Sequence, residues 1–88
     1  SHGATTIGRA LIPSSVVRDG ANLVTFTTAQ PHGLPLNRPI RIAIQGATPE
    51  DMNGVFTATV TTTTAFTYTA TGAAGSATGT IRAYTFLS

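Results

Sequence analysis

Along residues 40–45 apolar and polar positions alternate without a break: Ile40, Ile42 and Ile44 are set against Arg41, Ala43 and Gln45. A strict period of two places the three isoleucines on one face of a β-strand. Shorter runs repeat the pattern. In 23–28, Val24 and Phe26 share a face opposite Leu23, Thr25 and Thr27. In 55–61 the inward set is Phe56, Ala58 and Val60, and in 65–70 it is Phe66, Tyr68 and Ala70. In 80–87, Ile81, Ala83, Thr85 and Leu87 take one face and Arg82, Tyr84 and Phe86 the other. Apolar residues on both faces predict a strand covered on both sides, or one that meets a partner. No stretch of eleven residues keeps a helical period. The pattern predicts an all-β fold, a small antiparallel β-barrel or sandwich of about six strands, with turn residues between short strands.

The connections have their own signals. Asp19-Gly20-Ala21-Asn22 is a turn, with positive φ expected at Gly20. Residues 30–39 contain Pro31, Pro35 and Pro39, which exclude a helix or a central strand. Pro31 holds Gln30 extended, Gly33 takes the left-handed conformation, and Leu34 folds back as a core plug. Asn53-Gly54 is a turn signal after a polar loop over 47–53. Residues 55–61 and 65–70 form a hairpin across 62–64, and 71–79 is a flexible loop rich in Gly, Ala and Ser. Ahead of Gly20, Ile7, Leu11, Ile12, Val16 and Val17 lack a clean period, and Pro13-Ser14-Ser15 interrupts them. The expectation is an N-terminal arm over 4–20 with short edge strands, followed by a barrel domain over 21–88. Ser1-His2-Gly3 reads as a tag remnant. Deleting 4–15 is then expected to leave the barrel folded.

Size and charge narrow the picture. With 88 residues and no cysteine, the chain builds a thin core without disulfides or a thiolate metal site. Association with other subunits is the remaining usual source of stability. The charged residues are Arg9, Arg18, Arg38, Arg41, Arg82, Asp19, Glu50 and Asp51, a formal net charge of +2. The arginines are scattered, whereas nucleic-acid binders cluster theirs. Few charges and many threonines suit a surface held against other subunits better than a freely diffusing one. No apolar run approaches the roughly 20 residues of a membrane span.

Candidate chemistry is sparse. His32 has no nucleophile or second ligand at a recognisable spacing, so its ring is expected to bond a loop backbone group and stabilise the turn. Glu50 and Asp51 are adjacent, which fits a solvated loop or one helical turn over 49–52 better than a glycosidase pair. No catalytic, cofactor-binding or metal-binding residue is assigned. Arg41 and Arg82 with Tyr68, Tyr84 and Phe86 suggest an OB-like nucleic-acid face as a minor alternative.

The order Pro31-His32-Gly33-Leu34, then Ile42, Ile44 and Gly46, then Asn53, Gly54 and Phe56, then Phe66 and Tyr68 resembles a small β-barrel module of tailed-bacteriophage virion and tail proteins. It is also similar to the first catalytic cysteine half-domain inserted in ubiquitin-activating enzymes. The likeness spans about half the chain, residues 24–69. It departs at Asn37-Arg38, where the family commonly has Gly-Asp. The resemblance implies a compact barrel and a non-enzymatic role in a virion assembled in the bacterial cytoplasm, as a capsid decoration or tail-associated subunit. Pro31, His32, Gly33, Leu34, Asn53 and Gly54 would be its structural turns. Partners would be other virion proteins or further copies of the chain, with nucleic acid disfavoured and no membrane. Ile7, Leu11 and Ile12 of the arm and Tyr84 and Phe86 of the last strand are the expected contacts. A receptor- or glycan-binding module of a tail fibre, with an aromatic pocket near Tyr68 or Tyr84, is the alternative.

Overall fold

The computed structural model describes residues 6–87, with side chains described over 10–86. The chain forms β1 (Thr6–Leu11), β2 (Pro13–Arg18), β3 (Leu23–Thr28), β4 (Pro39–Gln45), β5 (Gly54–Thr62), β6 (Ala65–Thr69), β7 (Gly75–Ser76) and β8 (Arg82–Leu87). All belong to one sheet of order β1-β8-β4-β5-β6-β3-β2-β7, and every pairing is antiparallel. The all-β expectation holds.

Only Ile12 separates β1 from β2. Yet β1 pairs with β8 at one end of the sheet, and β2 pairs with β3 near the other. One bent segment therefore joins the two ends and curls the sheet into a barrel. The N-terminal segment expected as an arm is, from Thr6 onward, a working part of that sheet, and its tag-like residues 1–3 lie outside the described residues. Leu11 and Val16 sit in the same core cluster as Val24, Ile42 and Phe66. Deleting 4–15 would remove β1, half of β2 and Leu11, so the barrel is not expected to survive it.

The core follows the period-two pattern. Val24, Phe26, Ile42, Ala58, Val60 and Phe66 are wholly buried. Phe26 and Phe66 are cross-strand neighbours whose rings stack at 4.7 Å between centroids. Phe56 stacks on Tyr68 at 4.5 Å. Each such pair adds about 0.5–1.5 kcal/mol beyond burial. Ile81, just before β8, and Ala83 within it are buried, while Arg82, Tyr84 and Phe86 are half-covered on the opposite face.

Several turns differ from expectation. Positive φ in the 19–22 turn falls on Asn22 (68°) and not on Gly20. Asp19 Oδ1 accepts from the Ala21 and Leu23 amides at 2.8 and 3.0 Å, and this side-chain turn selects the later residue. Asn37 takes φ 59°, so the residue that stands where the resemblance has Gly is one of the few others that tolerate this region. The 71–79 segment is more ordered than its composition suggests. It contributes β7, and the amides and carbonyls of Thr48 and Thr78 bond reciprocally at 2.8 and 3.0 Å.

Gly46 ends β4 at φ 81°, and a Cβ there would overlap the Thr80 carbonyl. Strand β4 can leave the sheet beneath Thr80 only with glycine at this position. Gly46→Ala is expected to cost about 2–4 kcal/mol in chemical denaturation. Gly20→Ala, at an open position with ordinary φ, is expected to stay within about 0.5 kcal/mol of the parent.

Candidate functional site

His32 is wholly buried. Its Nδ1 accepts the Leu34 amide at 3.0 Å, and its Nε2 donates to the Thr62 carbonyl at 2.6 Å. These partners fix the tautomer with hydrogen on Nε2. The ring ties the 31–34 turn to the β5–β6 hairpin, while Gly33 takes φ 72° and Leu34 packs on the core. Pro31 lines a groove together with Ala10, Leu11 and Ile12.

Asn53 closes the 47–53 loop. Its Oδ1 accepts the Ala47 amide and its Nδ2 donates to the Ala47 carbonyl, both at 2.9 Å. The side-chain amide thus serves as a one-residue strand partner for Ala47. Gly54 follows at φ 137° and begins β5. Between them, Glu50–Met52 forms one 3₁₀ turn.

The least expected polar feature is Arg18, 1% exposed at the end of β2. Its Nε donates to the Ala73 carbonyl at 2.7 Å and its Nη1 to the Ala70 carbonyl at 3.1 Å. Nη1 also lies 2.8 Å from Asp51 Oδ1, whose side chain is 47% exposed. Gly72 lies so close above the guanidinium that a Cβ would overlap it. Arg18 Nη2 finds no hydrogen-bond partner among the described residues. Nearby, the Tyr68 hydroxyl donates to the Met52 carbonyl at 3.0 Å. Burial pushes the Tyr68 phenol up to about 12, against the opposing pull of the Arg18 charge. Sequence reading missed this cluster. Arg18 and Asp51 lie far apart in the chain, and only the folded sheet brings β2 under the 49–52 turn.

The expected contact residues do not form one patch. Leu11 is 6% exposed and belongs to the core, so it offers no contact face; the inward pleat of β1 at the bend carries it inside. Ile12, at the bend, is 54% exposed. The Ile7 side chain lies outside the described residues. Tyr84 and Phe86 are half-buried, and the Arg41 guanidinium stands 5.9 Å from the Phe86 ring centroid. Tyr68 is 2% exposed, so it cannot contribute to the aromatic glycan pocket or to a base-stacking face. Among the described residues no group of three or more His, Cys, Asp or Glu is placed to hold a metal.

The outer face of the sheet carries a different array. Val17, Thr25, Thr67, Thr59 and Pro39 stand in one register row across β2, β3, β6, β5 and β4. Thr27, Thr57 and Thr69 flank the row on the same face, and Leu23 pairs with Thr69 at its border. No member of the row is charged.

No family model matches the chain, and no curated protein or solved structure matches it either.

Two outcomes follow from the buried polar groups. Stability is expected to fall by about 2–3 kcal/mol as pH rises from 10 to 12, because the unfolded phenol then ionises while the folded one stays neutral. Tyr68→Phe should flatten that slope and cost about 1–2 kcal/mol at neutral pH, read by denaturant titration across pH. Asp51→Ala leaves the Arg18 charge with carbonyl partners only. It is expected to cost about 1–3 kcal/mol, less than for a fully buried pair because Asp51 is half in water.

Proposed function

We propose that this chain is a non-enzymatic structural or accessory subunit of a tailed-bacteriophage virion, acting by docking its sheet face on a capsid or tail lattice. The observation that carries the reading is the uncharged row of Val17, Thr25, Thr67, Thr59 and Pro39 across five strands. A face of short hydroxyl and methyl groups loses little side-chain entropy on docking. The row itself has no charge to desolvate, and the nearest charge on the face is Arg41, the cross-strand partner of Thr57. The motif residues support the same reading from the other side. His32, Gly46, Asn53, Phe56, Phe66 and Tyr68 are spent on turns and core, which leaves the surface free to serve a partner.

The purified chain is expected to co-sediment with tailed-phage particles stripped of small accessory proteins, at a saturating ratio set by the lattice. Thr59→Lys, at an exposed position, should keep the thermal midpoint within a few degrees and weaken that binding at least tenfold. A chain that stays in the supernatant, or binding indifferent to Thr59→Lys, would contradict the reading.

A further inference from the structure

The fold sorts the charges that the sequence scatters. Strands β2, β4 and β6 end where β3 and β5 begin, and the side-chain carboxylates of Asp19, Glu50 and Asp51 all lie at that end of the barrel. Asp19 is spent on its own turn and Asp51 on Arg18. At the opposite end, where β4 begins and β8 finishes, Arg38 and Arg41 stand exposed with no acidic side chain among the described residues. Arg41 alternates with Ile40 and Ile42 and so points out of the barrel, opposite Phe86 and one step beyond the Ile42–Thr85 pair. Its guanidinium lies over that ring, 5.9 Å from the centroid. It makes no ion pair or hydrogen bond among the described residues.

Beside this pair, Leu34, Ile40, Thr85 and Phe86 join Arg41 around a cavity of about 270 Å³. The 31–34 turn sets its floor: the Leu34 amide donates to His32 Nδ1, and Leu34 and Ile40 both pack on the core. The lining is therefore three apolar side chains, one hydroxyl and one exposed cation. Its volume falls just under the range that encloses whole small-molecule ligands, which suits a single residue at the end of a longer chain. A ring beneath the guanidinium covers one face and leaves the in-plane N–H donors open. In that geometry arginine holds a carboxylate through two parallel hydrogen bonds.

We propose that this cavity binds the C-terminal residue of a partner polypeptide. An apolar side chain enters between Leu34, Ile40 and Phe86, and the free α-carboxylate pairs with Arg41. The sorting of charge favours an anionic partner here, because this end of the barrel offers positive charge and no competing carboxylate side chain among the described residues. The lining selects the kind of anion. One guanidinium above an apolar floor matches one carboxylate attached to one apolar group, whereas a phosphodiester backbone calls for a run of cations. The site does not rest on the threonine row and stands whether or not the virion reading does.

The test is an NMR titration of the whole isotope-labelled chain with acetyl-Gly-Ser-Gly-Ser-Leu, once as the free acid and once amidated at its C-terminus. The free acid is expected to bind with a Kd of about 1 mM or lower and to shift the amide signals of Ile40, Arg41, Thr85 and Phe86 most. The amidated peptide should bind at least tenfold more weakly. Arg41→Gln, at an exposed position, should weaken binding of the free acid at least tenfold and erase its advantage over the amide, with the thermal midpoint within a few degrees of the parent. Arg82→Gln, at the other end of the barrel, should leave the affinity within twofold. No signal change at about 10 mM peptide overturns the proposal. So do equal affinities for acid and amide, binding that survives Arg41→Gln, and binding lost with Arg82→Gln. Because the probe is a peptide and no particle is present, failure of lattice docking cannot be mistaken for failure of this site.

Discussion

The structure depends on one covalent constraint: the segment Thr6–Arg18 belongs to both ends of the same sheet. With only Ile12 between β1 and β2, pairing to β8 and pairing to β3 cannot both occur unless the sheet curls shut. Closure then brings Leu11 and Val16 inward against residues from β3, β4 and β6. For a chain of 88 residues without disulfides, this burial is a substantial part of what holds the fold.

Arg18 shows how the closed sheet fastens its loops. A guanidinium this deep is costly unless bonded. Here it meets that cost by holding the carbonyls of Ala70 and Ala73 and the carboxylate of Asp51. One side chain thereby links β2, the segment after β6 and the turn before β5. Tyr68 and Asn53 extend the fastening to the carbonyls of Met52 and Ala47. The loops that composition marks as loose are thus tied from beneath. The chemistry of the interior is used for shape.

Period-two patterning made β3, β4, β5, β6 and β8 legible, because each turns its larger apolar residues to the core, even though Ala43 of β4 is buried on the other face and that face of β8 is half-covered. The left-handed Gly33 was legible for the same reason, since the constraint is local, whereas Asn53 is extended and Gly54 opens β5, so the turn lies one step earlier, in the 3₁₀ segment Glu50–Met52. The first 18 residues were not legible. Leu11, Val16 and Arg18 all point inward, but a bend at Ile12 and a register shift between Pro13 and Ser15 break the phase that a period would need. The Arg18–Asp51 pair and the Thr48–Thr78 bridge join residues distant in the chain, and no local pattern encodes them. The threonine row was visible only as composition. Its alignment across five strands depends on register, which the sequence does not display.

Native-state amide hydrogen exchange tests the central claim, that the N-terminal segment closes the barrel and folds with it. The account predicts that the amides of β1 bonded to β8 and those of β2 bonded to β3 exchange through the same global opening as the core amides of β3, β4 and β6. Exchange of β1 and β2 orders of magnitude faster, with β3 to β6 still protected, would show an appended arm and contradict it.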